Sequence, residues 1–175
     1  MERFFDPETI SSVLEAIESY GYLFIVLGAM LQGMGLPLPA QTILVSAGVM
    51  AGQDILNPYY AILFGLLGAV AGSQAGYFIG RRGGRPFVLK VGRYVGITPR
   101  RLDRAEGFFD HHGQRAVLVA RFIPVLKTFG YVAAGLVKMP HTVFFRNDLI
   151  GTTVWTVGSV LLGMALSEGI TAVIS

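Results

Sequence analysis

The chain has 175 residues, 53% of them hydrophobic and 14% charged, and a formal net charge of +3. Globular proteins carry about 25% charged residues, so this composition excludes an ordinary soluble domain and indicates one small integral membrane domain over residues 1–175. The absence of cysteine excludes a disulfide framework and a thiolate metal site. The first 18 residues hold five carboxylates and one arginine, whereas a secretory signal begins with basic residues.

Residues 8–19 predict a short amphipathic helix at the outer membrane surface. Ile10, Val13, Leu14 and Ile17 recur at helical spacing, with acidic residues away from them. The alternative is a solvated N-terminus.

Residues 20–52 are apolar and uncharged, but Pro37 and Pro39 interrupt them. Each half is about a dozen residues long, whereas a spanning helix needs about 20 residues. The segment therefore predicts a re-entrant hairpin that opens to the outside, and the alternative is one kinked spanning helix. We call the Pro-x-Pro stretch at 37–39 the elbow. Gln32 and Gln41 flank it, and their amides suit buried polar contacts.

Residues 59–80 predict a transmembrane helix, because they are apolar and carry no charge. Glycines along one face would let another helix approach closely; they are Gly65, Gly68, Gly72, Gly76 and Gly80. Nine of the fourteen basic residues fall between positions 81 and 115. The positive-inside rule therefore places that segment in the cytoplasm and the N-terminus outside.

Residues 86–115 predict a basic segment at the cytoplasmic surface. Thr98 is a good N-cap and Pro99 suits the first helical position, so we expect a helix over 99–112 that stops at Gly113. A basic cluster can also bind nucleic acid. The flanking apolar spans favour anionic lipid head groups instead, and we expect no nucleic-acid partner.

Residues 116–139 are a second broken apolar segment, in which Pro124 lies between Arg121 and Lys127. A cation at membrane depth is costly and indicates a functional site, and proline should kink or stop a helix. A broken helix is tolerated at that depth where protein or a water-filled cavity surrounds it. Free backbone groups and two cations therefore predict a site for an anionic group. The alternative is that both cations reach the interface from a short hairpin.

Residues 142–167 predict a second transmembrane helix. Asp148 near its start is expected either to pair with Arg121 or Arg146 or to face water at the inner interface. Trp155 lies too deep for an interfacial belt residue, so we expect it to pack against the hairpins.

The two broken segments resemble each other. Pro39 precedes an Ala-Gly pair that ends at Gly48, as Pro124 precedes the pair that ends at Gly135, and a polar turn and a long helix follow each segment. The charge distribution opens the first segment outside and the second inside. The sequence therefore predicts an all-α membrane protein of two inverted repeats, each with a re-entrant hairpin and a transmembrane helix, as in many secondary transporters. Chance similarity of the short motifs is the alternative.

The order and spacing of these motifs resemble the DedA family, the bacterial branch of the VTT or SNARE-associated membrane proteins. The resemblance covers residues 20–160 and rests on Gly35-Leu36-Pro37-Leu38-Pro39, Ala47-Gly48, Gly76 through Arg81, Phe109 through Gly113, Arg121-Phe122-Ile123-Pro124, Ala134-Gly135, Asn147, Gly151 and Trp155. It implies a multi-pass protein of the bacterial inner membrane that handles lipid. Members are implicated in returning undecaprenyl phosphate across the bacterial membrane, and eukaryotic relatives scramble phospholipids.

The chain departs from the family pattern at both parts of the expected site. Two intramembrane basic residues are typical of the family and correspond to Arg121 and Lys127, but the second is commonly arginine, whose planar fork lysine lacks. The family usually has carboxylates on both sides of the elbow, thought to couple transport to protons, where this chain has two glutamines. The resemblance then implies either uncoupled transport or coupling through another carboxylate: Asp54, Asp148 or Glu168.

Together these observations predict a lipid-phosphate translocase or scramblase that is not an enzyme and needs no metal or cofactor. The expected substrate-binding residues are Arg121, Lys127, Gln32, Gln41, Pro37, Pro39, Pro124, Asn147 and Trp155. The alternative is a proton- or ion-coupled transporter of a small solute. A lipid phosphatase would need a nucleophile and a base at the interface, and a scaffold would leave Arg121 unexplained. The lipid and the oligomeric state, including a homo-oligomer, stay open.

Overall fold

The structure is a computed structural model that describes residues 7–36, 38, 40–113, 116–120 and 123–174. Side chains are described for 20–36, 38, 40–94, 96–113, 116–119, 123 and 129–169. The described chain is all-helical, which confirms the predicted class. Its α-helices are α1 (Pro7–Gly33), α2 (Ala40–Gly52), α3 (Pro58–Gly92), α4 (Pro99–His112), α5 (Ala116–Ala120), α6 (Pro124–Leu136) and α7 (His141–Ile174). A short 3-10 turn, Arg93–Val95, follows α3.

The first helix is longer than predicted. We expected a separate helix over 8–19, but α1 runs without a break over 27 residues to Gly33. No proline lies between positions 8 and 36, so nothing in the local sequence forces the helix to end where its amphipathic part gives way to its apolar part.

The chain reverses direction between α1 and α2. The backbone N–H of Asn57, which follows α2, donates to the hydroxyl of Tyr22 near the start of the apolar part of α1, at 2.8 Å. Residues 20–33 and α2 therefore form an antiparallel helical pair, and the chain comes back to the level from which it set out. Whether this pair dips into a membrane from one face stays a prediction.

The third helix begins as its sequence dictates and bends beyond the predicted span. The side chain of Asn57 accepts a hydrogen bond from the N–H of Tyr59, and proline follows the cap. We expected the span over 59–80 to end at the arginines. Arginine does not interrupt a helix, and the bend comes instead at Gly84, which has φ 68° and is followed closely by Pro86.

The last helices agree with the sequence in type and partly in extent. The predicted helix over 99–112 is confirmed: Thr98 accepts from the N–H of Arg101, and the helix ends at Gly113 with φ 54°. The last helix, predicted over 142–167, extends from His141 to Ile174. Among the described residues, α3 and α7 are the two helices long and apolar enough to cross a membrane.

The predicted glycine strip on α3 is the surface on which two other helices cross. A Cβ on Gly72 would lie 2.1 Å from the carbonyl oxygen of Met30 in α1. A Cβ on Gly80 would lie 2.0 Å from that of Val132 in α6. Only glycine permits these backbone approaches, so α1 and α6 pack along one face of α3. The close approach of other helices that the glycine spacing predicted is therefore confirmed at Gly72 and Gly80.

Candidate functional site

The elbow between α1 and α2 is tied to the end of α1 by Gln32. Its Nε2 donates to the backbone carbonyl of Leu38 at 2.8 Å, and Gly35 turns the chain with φ 103°. Gln32 therefore contacts the elbow, as expected of a flanking amide. Gln41 is exposed in the first turn of α2. Of the remaining elbow residues, Pro37 and Pro39 lie outside the described residues.

The second broken segment contains α6, a helix of 13 residues that begins at Pro124. Ile123 occupies the N-cap position with extended backbone (φ −102°, ψ 116°) and makes no side-chain capping bond. Ile123 therefore offers no side-chain acceptor to the first amides of α6, and helix amides without such a partner can receive an anion. Lys127 belongs to this first turn, but its side chain lies outside the described part of the chain, as does Arg121 altogether.

The first elbow meets α6 on the surface of α3. A Cβ on Gly76 would lie 2.7 Å from the carbonyl oxygen of Gly33 and 3.3 Å from Cβ of Tyr131, so the end of α1 and the middle of α6 share one contact point. Beside it is a cavity of about 210 Å³. Its lining is almost wholly apolar and comprises Met34, Gly35, Leu36, Ile79, Val88, Val91, Gly92, Ile97 and Val132. The structure thus brings the first broken segment and part of the second together.

A buried polar cluster connects α3 to α7. Asp148 is wholly buried, and its Oδ2 lies 2.5 Å from Oγ of Ser73. Thr152, one turn along α7, donates to Oδ1 of Asp148 at 3.2 Å. Of the two alternatives predicted for Asp148, the one in which it faces water at the inner interface is therefore wrong. The reason is that α3 covers this face of α7, which single-helix reasoning could not show.

The same stripe of α7 carries further buried polar residues. Thr152, Thr156, Ser159 and Ser167 are all buried. From Asp148 to Ser159 the polar residues recur every three or four residues, and Ser167 follows eight residues later, which places all of them on one face of the helix. We did not identify Ser73 or these α7 residues as site candidates. The available signal was the helical spacing of polar residues within an otherwise apolar segment.

The two α7 candidates occupy different surroundings. Asn147 is buried beside Asp148 in the chain. Trp155 is partly buried and packs against the cluster that contains Ile25 of α1 and Leu44 of α2. The expected packing against the hairpins is therefore seen for the first broken segment. The structure therefore places Trp155 in the packing core, away from the elbow contacts of Gln32.

Hydrogen bonds from Tyr77 and Arg81 of α3 hold the residue Met139, just before α7, against α3. The hydroxyl of Tyr77, wholly buried, donates to the carbonyl oxygen of Met139 at 2.5 Å. Arg81 donates to the same carbonyl at 3.0 Å and to the Tyr77 hydroxyl. One helical turn before Tyr77 on α3, Oε1 of Gln74 lies 2.8 Å from Nε2 of His141, the first residue of α7.

The segment after the Gly84 bend combines exposed apolar and basic side chains. Phe87, Val91 and Tyr94 are exposed and spaced three or four residues apart, and the Arg93 guanidinium lies 4.7 Å from the Tyr94 ring. Such a face suits a membrane interface. The segment is joined to α4 by Arg85, which pairs with Asp103 and with Glu106.

Fold and site together define an all-helical protein with two helices able to cross a membrane, an antiparallel helical pair beside them and a polar cluster buried between the long helices. The chain belongs to the VTT domain family, which the DedA resemblance predicted: the family model matches residues 38–165. No solved structure matches the chain.

The chain is similar to several bacterial proteins whose names describe a membrane protein or a transporter. The chain is 33% identical to an uncharacterized membrane protein of Synechocystis over 97% of this chain and 76% of that protein. It is 32% identical to undecaprenyl phosphate transporter A of Bacillus subtilis, over 91% of this chain and 78% of that one. It is 30% identical to undecaprenyl phosphate transporter A of Staphylococcus aureus, over 89% and 79%. These findings and the two long apolar helices are consistent with a bacterial membrane protein of the transporter type.

Proposed function

We propose that the protein is a translocase that moves a phosphate-bearing lipid, undecaprenyl phosphate or a phospholipid, across the bacterial inner membrane. The observation that carries this proposal is the 32% identity, over 91% of this chain, to a protein named undecaprenyl phosphate transporter A. The head group would bind Arg121 and Lys127 through charge-assisted hydrogen bonds.

The lengths of the shorter helices support a re-entrant arrangement. Both α2 and α6 have 13 residues, which corresponds to a length of about 20 Å, whereas the hydrocarbon core is about 30 Å thick. Each helix begins at or directly after a proline in the sequence. In the proposed topology the starts of both helices lie inside the bilayer, and their N-termini direct positive potential towards the phosphate.

The cavity beside the first elbow supports a lipid substrate. Its apolar lining offers nothing to a polar solute, but it suits part of an acyl or prenyl chain. Gln32 holds the elbow backbone that forms one wall. We infer that the chain of the lipid occupies this cavity while the head group lies towards the start of α6, and that Gln41 contacts the head group from α2.

The basic segment over 81–115 supports a cytoplasmic surface that attracts anionic lipid. Exposed aromatic and apolar side chains at Phe87, Val91 and Tyr94 alternate with arginines and a lysine. Basic residues near an anionic surface contribute about 1 kcal/mol each to binding. This surface would hold the segment in the plane of the inner leaflet and bring anionic lipid to the elbow.

The experiment is lipid flipping in proteoliposomes that contain a labelled lipid phosphate. We expect Arg121→Ala and Lys127→Ala each to lower the flipping rate by about tenfold or more, because each removes a hydrogen bond to a charged group, worth about 1.5–3 kcal/mol. Arg146→Ala is the matched control, since Arg146 is an exposed cation on α7. Wild-type rates in both site variants would refute the proposal.

A second candidate, a proton- or ion-coupled transporter of a small solute, is favoured by one observation. Asp148 is a wholly buried carboxyl between two long helices, the kind of group on which ion coupling depends. This candidate predicts solute uptake driven by an ion gradient in vesicles that show no lipid flipping.

A further inference from the structure

An exposed cluster of aromatic and basic side chains lies where the apolar part of α3 ends and α7 begins. His141, the first residue of α7, is exposed. The centre of its ring lies 5.3 Å from that of Phe78 in α3 and 6.2 Å from that of Phe145, one turn along α7. The Cζ atom of Arg82 lies 5.3 Å from the centre of the same Phe78 ring. We call these four residues the junction cluster.

The two basic side chains of the junction cluster are held in place. Nε2 of His141 lies 2.8 Å from Oε1 of Gln74, and an amide oxygen only accepts, so this nitrogen carries a proton and a second proton would enter at Nδ1. Arg82 is exposed, but its guanidinium rests over the ring of Phe78. Side chains that are already oriented lose less freedom when a ligand binds.

The charges around the junction cluster suit an anionic ligand. Other charged and titratable groups at this end of α3 and α7 are Tyr77, Arg81 and Arg85 on α3, Lys138 just before α7, and Arg146 and Asp148 on α7; α2 and the five residues of α5, which also pack against α7, contain none. Asp148 is wholly buried, whereas the four cations of this set are exposed. The exposed charge here is therefore positive.

The surroundings of the junction cluster also suit a lipid. Phe78 and Phe145 are exposed, and Leu149 and Ile150 continue the exposed apolar surface along α7. Aromatic rings beside cations, next to an apolar surface, are typical of the level at which lipid head groups lie. Since α3 and α7 are the two described helices able to cross a membrane, the apolar surface on α7 is placed to meet acyl chains.

We propose that the junction cluster binds the head group of an anionic phospholipid, with Arg82 and protonated His141 opposite its phosphate and the exposed side chains of α7 along its acyl chains. Three of its four residues lie outside the basic segment over 81–115. Histidine changes its charge between about pH 5 and pH 8. A bound anion and a second proton on His141 attract each other, so the lipid is held more tightly at the lower pH.

The test uses the full chain in lipid nanodiscs with a fluorescent label on one introduced cysteine, since the chain has no cysteine of its own. Leu149→Cys places the label on exposed surface one turn beyond Phe145. Quenching by brominated phosphatidylglycerol, which is anionic, is compared with quenching by brominated phosphatidylcholine, which has no net charge. We expect a preference for phosphatidylglycerol that is about fivefold stronger at about pH 5 than at about pH 8, the effect of one added cation. Leu63→Cys, an exposed position near the other end of α3, should show no change with pH.

Variants in the Leu149→Cys background assign the effect to its residues. His141→Gln keeps a hydrogen-bonding side chain but cannot change its charge, so the preference should be equal at the two pH values. His111→Gln, at an exposed histidine of α4, is the matched control and should keep the pH effect. Arg82→Gln should lower the preference about fivefold at both pH values, whereas Arg82→Lys, which keeps the charge, should stay near the wild type.

Three results would overturn the proposal: equal quenching by the two lipids in the wild type, a pH effect that persists in His141→Gln, or an Arg82→Gln variant that behaves as the wild type. The Arg82 pair decides the matter if His141→Gln does not fold. The site does not depend on the proposed transport, because the label reports bound lipid and not its movement. A protein that flips no lipid would refute the proposed function and leave the quenching to decide this site.

Discussion

Gly48 of α2 and Gly163 of α7 bring the backbones of their helices into direct contact. A Cβ built on Gly163 would lie 2.8 Å from Cα of Gly48 and 2.2 Å from the carbonyl oxygen of Val45. The helix α6 repeats the arrangement, since a Cβ on Gly135 of α6 would lie 2.0 Å from the carbonyl oxygen of Tyr77 in α3. Each of the two 13-residue helices thus packs through a glycine against a long helix: α2 against α7, and α6 against α3.

The contact at Gly163 predicts a strong response to one added methyl group. Gly163→Ala must push α2 away from α7, because the nearest atoms are backbone, and overpacking of this kind costs about 1–3 kcal/mol. Gly158→Ala is the matched control on the same helix, where a Cβ would meet nothing within 4 Å. There alanine should be neutral or stabilise the helix by about 0.5–1 kcal/mol. Thermal unfolding in detergent, followed by the fluorescence of Trp155, measures both; equal melting temperatures would contradict the packing described.

Tyr77→Phe should destabilise the junction between α3 and α7. The ring fits, since it stacks on Phe144 with 4.5 Å between centroids, so only the hydroxyl is lost. Met139 keeps Arg81 as a donor, and we expect a loss of about 1 kcal/mol, the lower end of the range for a buried group that loses its partner. Tyr59→Phe, at a site that is 80% exposed, is the control. Identical unfolding temperatures of the two variants would show that the buried bond contributes nothing.

Gln32→Ala should loosen the first elbow. The variant removes the donor to the Leu38 carbonyl, while the N–H groups of Gly35 and Leu36 still have acceptors in α1. Loss of one such hydrogen bond costs about 1 kcal/mol, so exchange of the amides of Gly35, Leu36 and Leu38 should quicken about fivefold in hydrogen-exchange mass spectrometry. Gln53→Ala, in the exposed turn after α2, should leave these amides unchanged. Equal exchange in both variants would mean that Gln32 does not hold the elbow.

Arg85→Gln should release α4 from the segment after the bend without unfolding the bundle. The hydrogen bond with Asp103 and the charge of Glu106 raise the pKa of Arg85, so it stays cationic at every pH at which the protein is handled. Salt screens exposed pairs. Protease cleavage within α4 should therefore quicken with salt in the wild type and be fast and independent of salt in the variant. Arg104→Gln, an exposed arginine on α4 itself, should behave as wild type; a similar rise in cleavage there would implicate net charge instead of the Arg85 pairs.

Local chemistry was enough to predict several features of this chain. The cap at Thr98 and the stop at Gly113 were placed correctly, because each depends on a few neighbouring residues. The glycine spacing on α3 identified the face that other helices approach, and the composition identified a helical membrane protein. The family also followed from sequence, since its motifs are short, local and ordered.

Only the tertiary structure decided which surfaces meet. The sequence of α7 shows a carboxylate near one end, and whether it faces water was decided only when the packing of α3 placed Ser73 against Asp148. The same holds for α2, whose Gly48 and Gly52 both approach α7, a helix far from them in the chain. Periodicity in the sequence shows that one face of a helix carries small or polar residues. The identity of its partner depends on contacts between residues far apart in sequence, which no local pattern encodes.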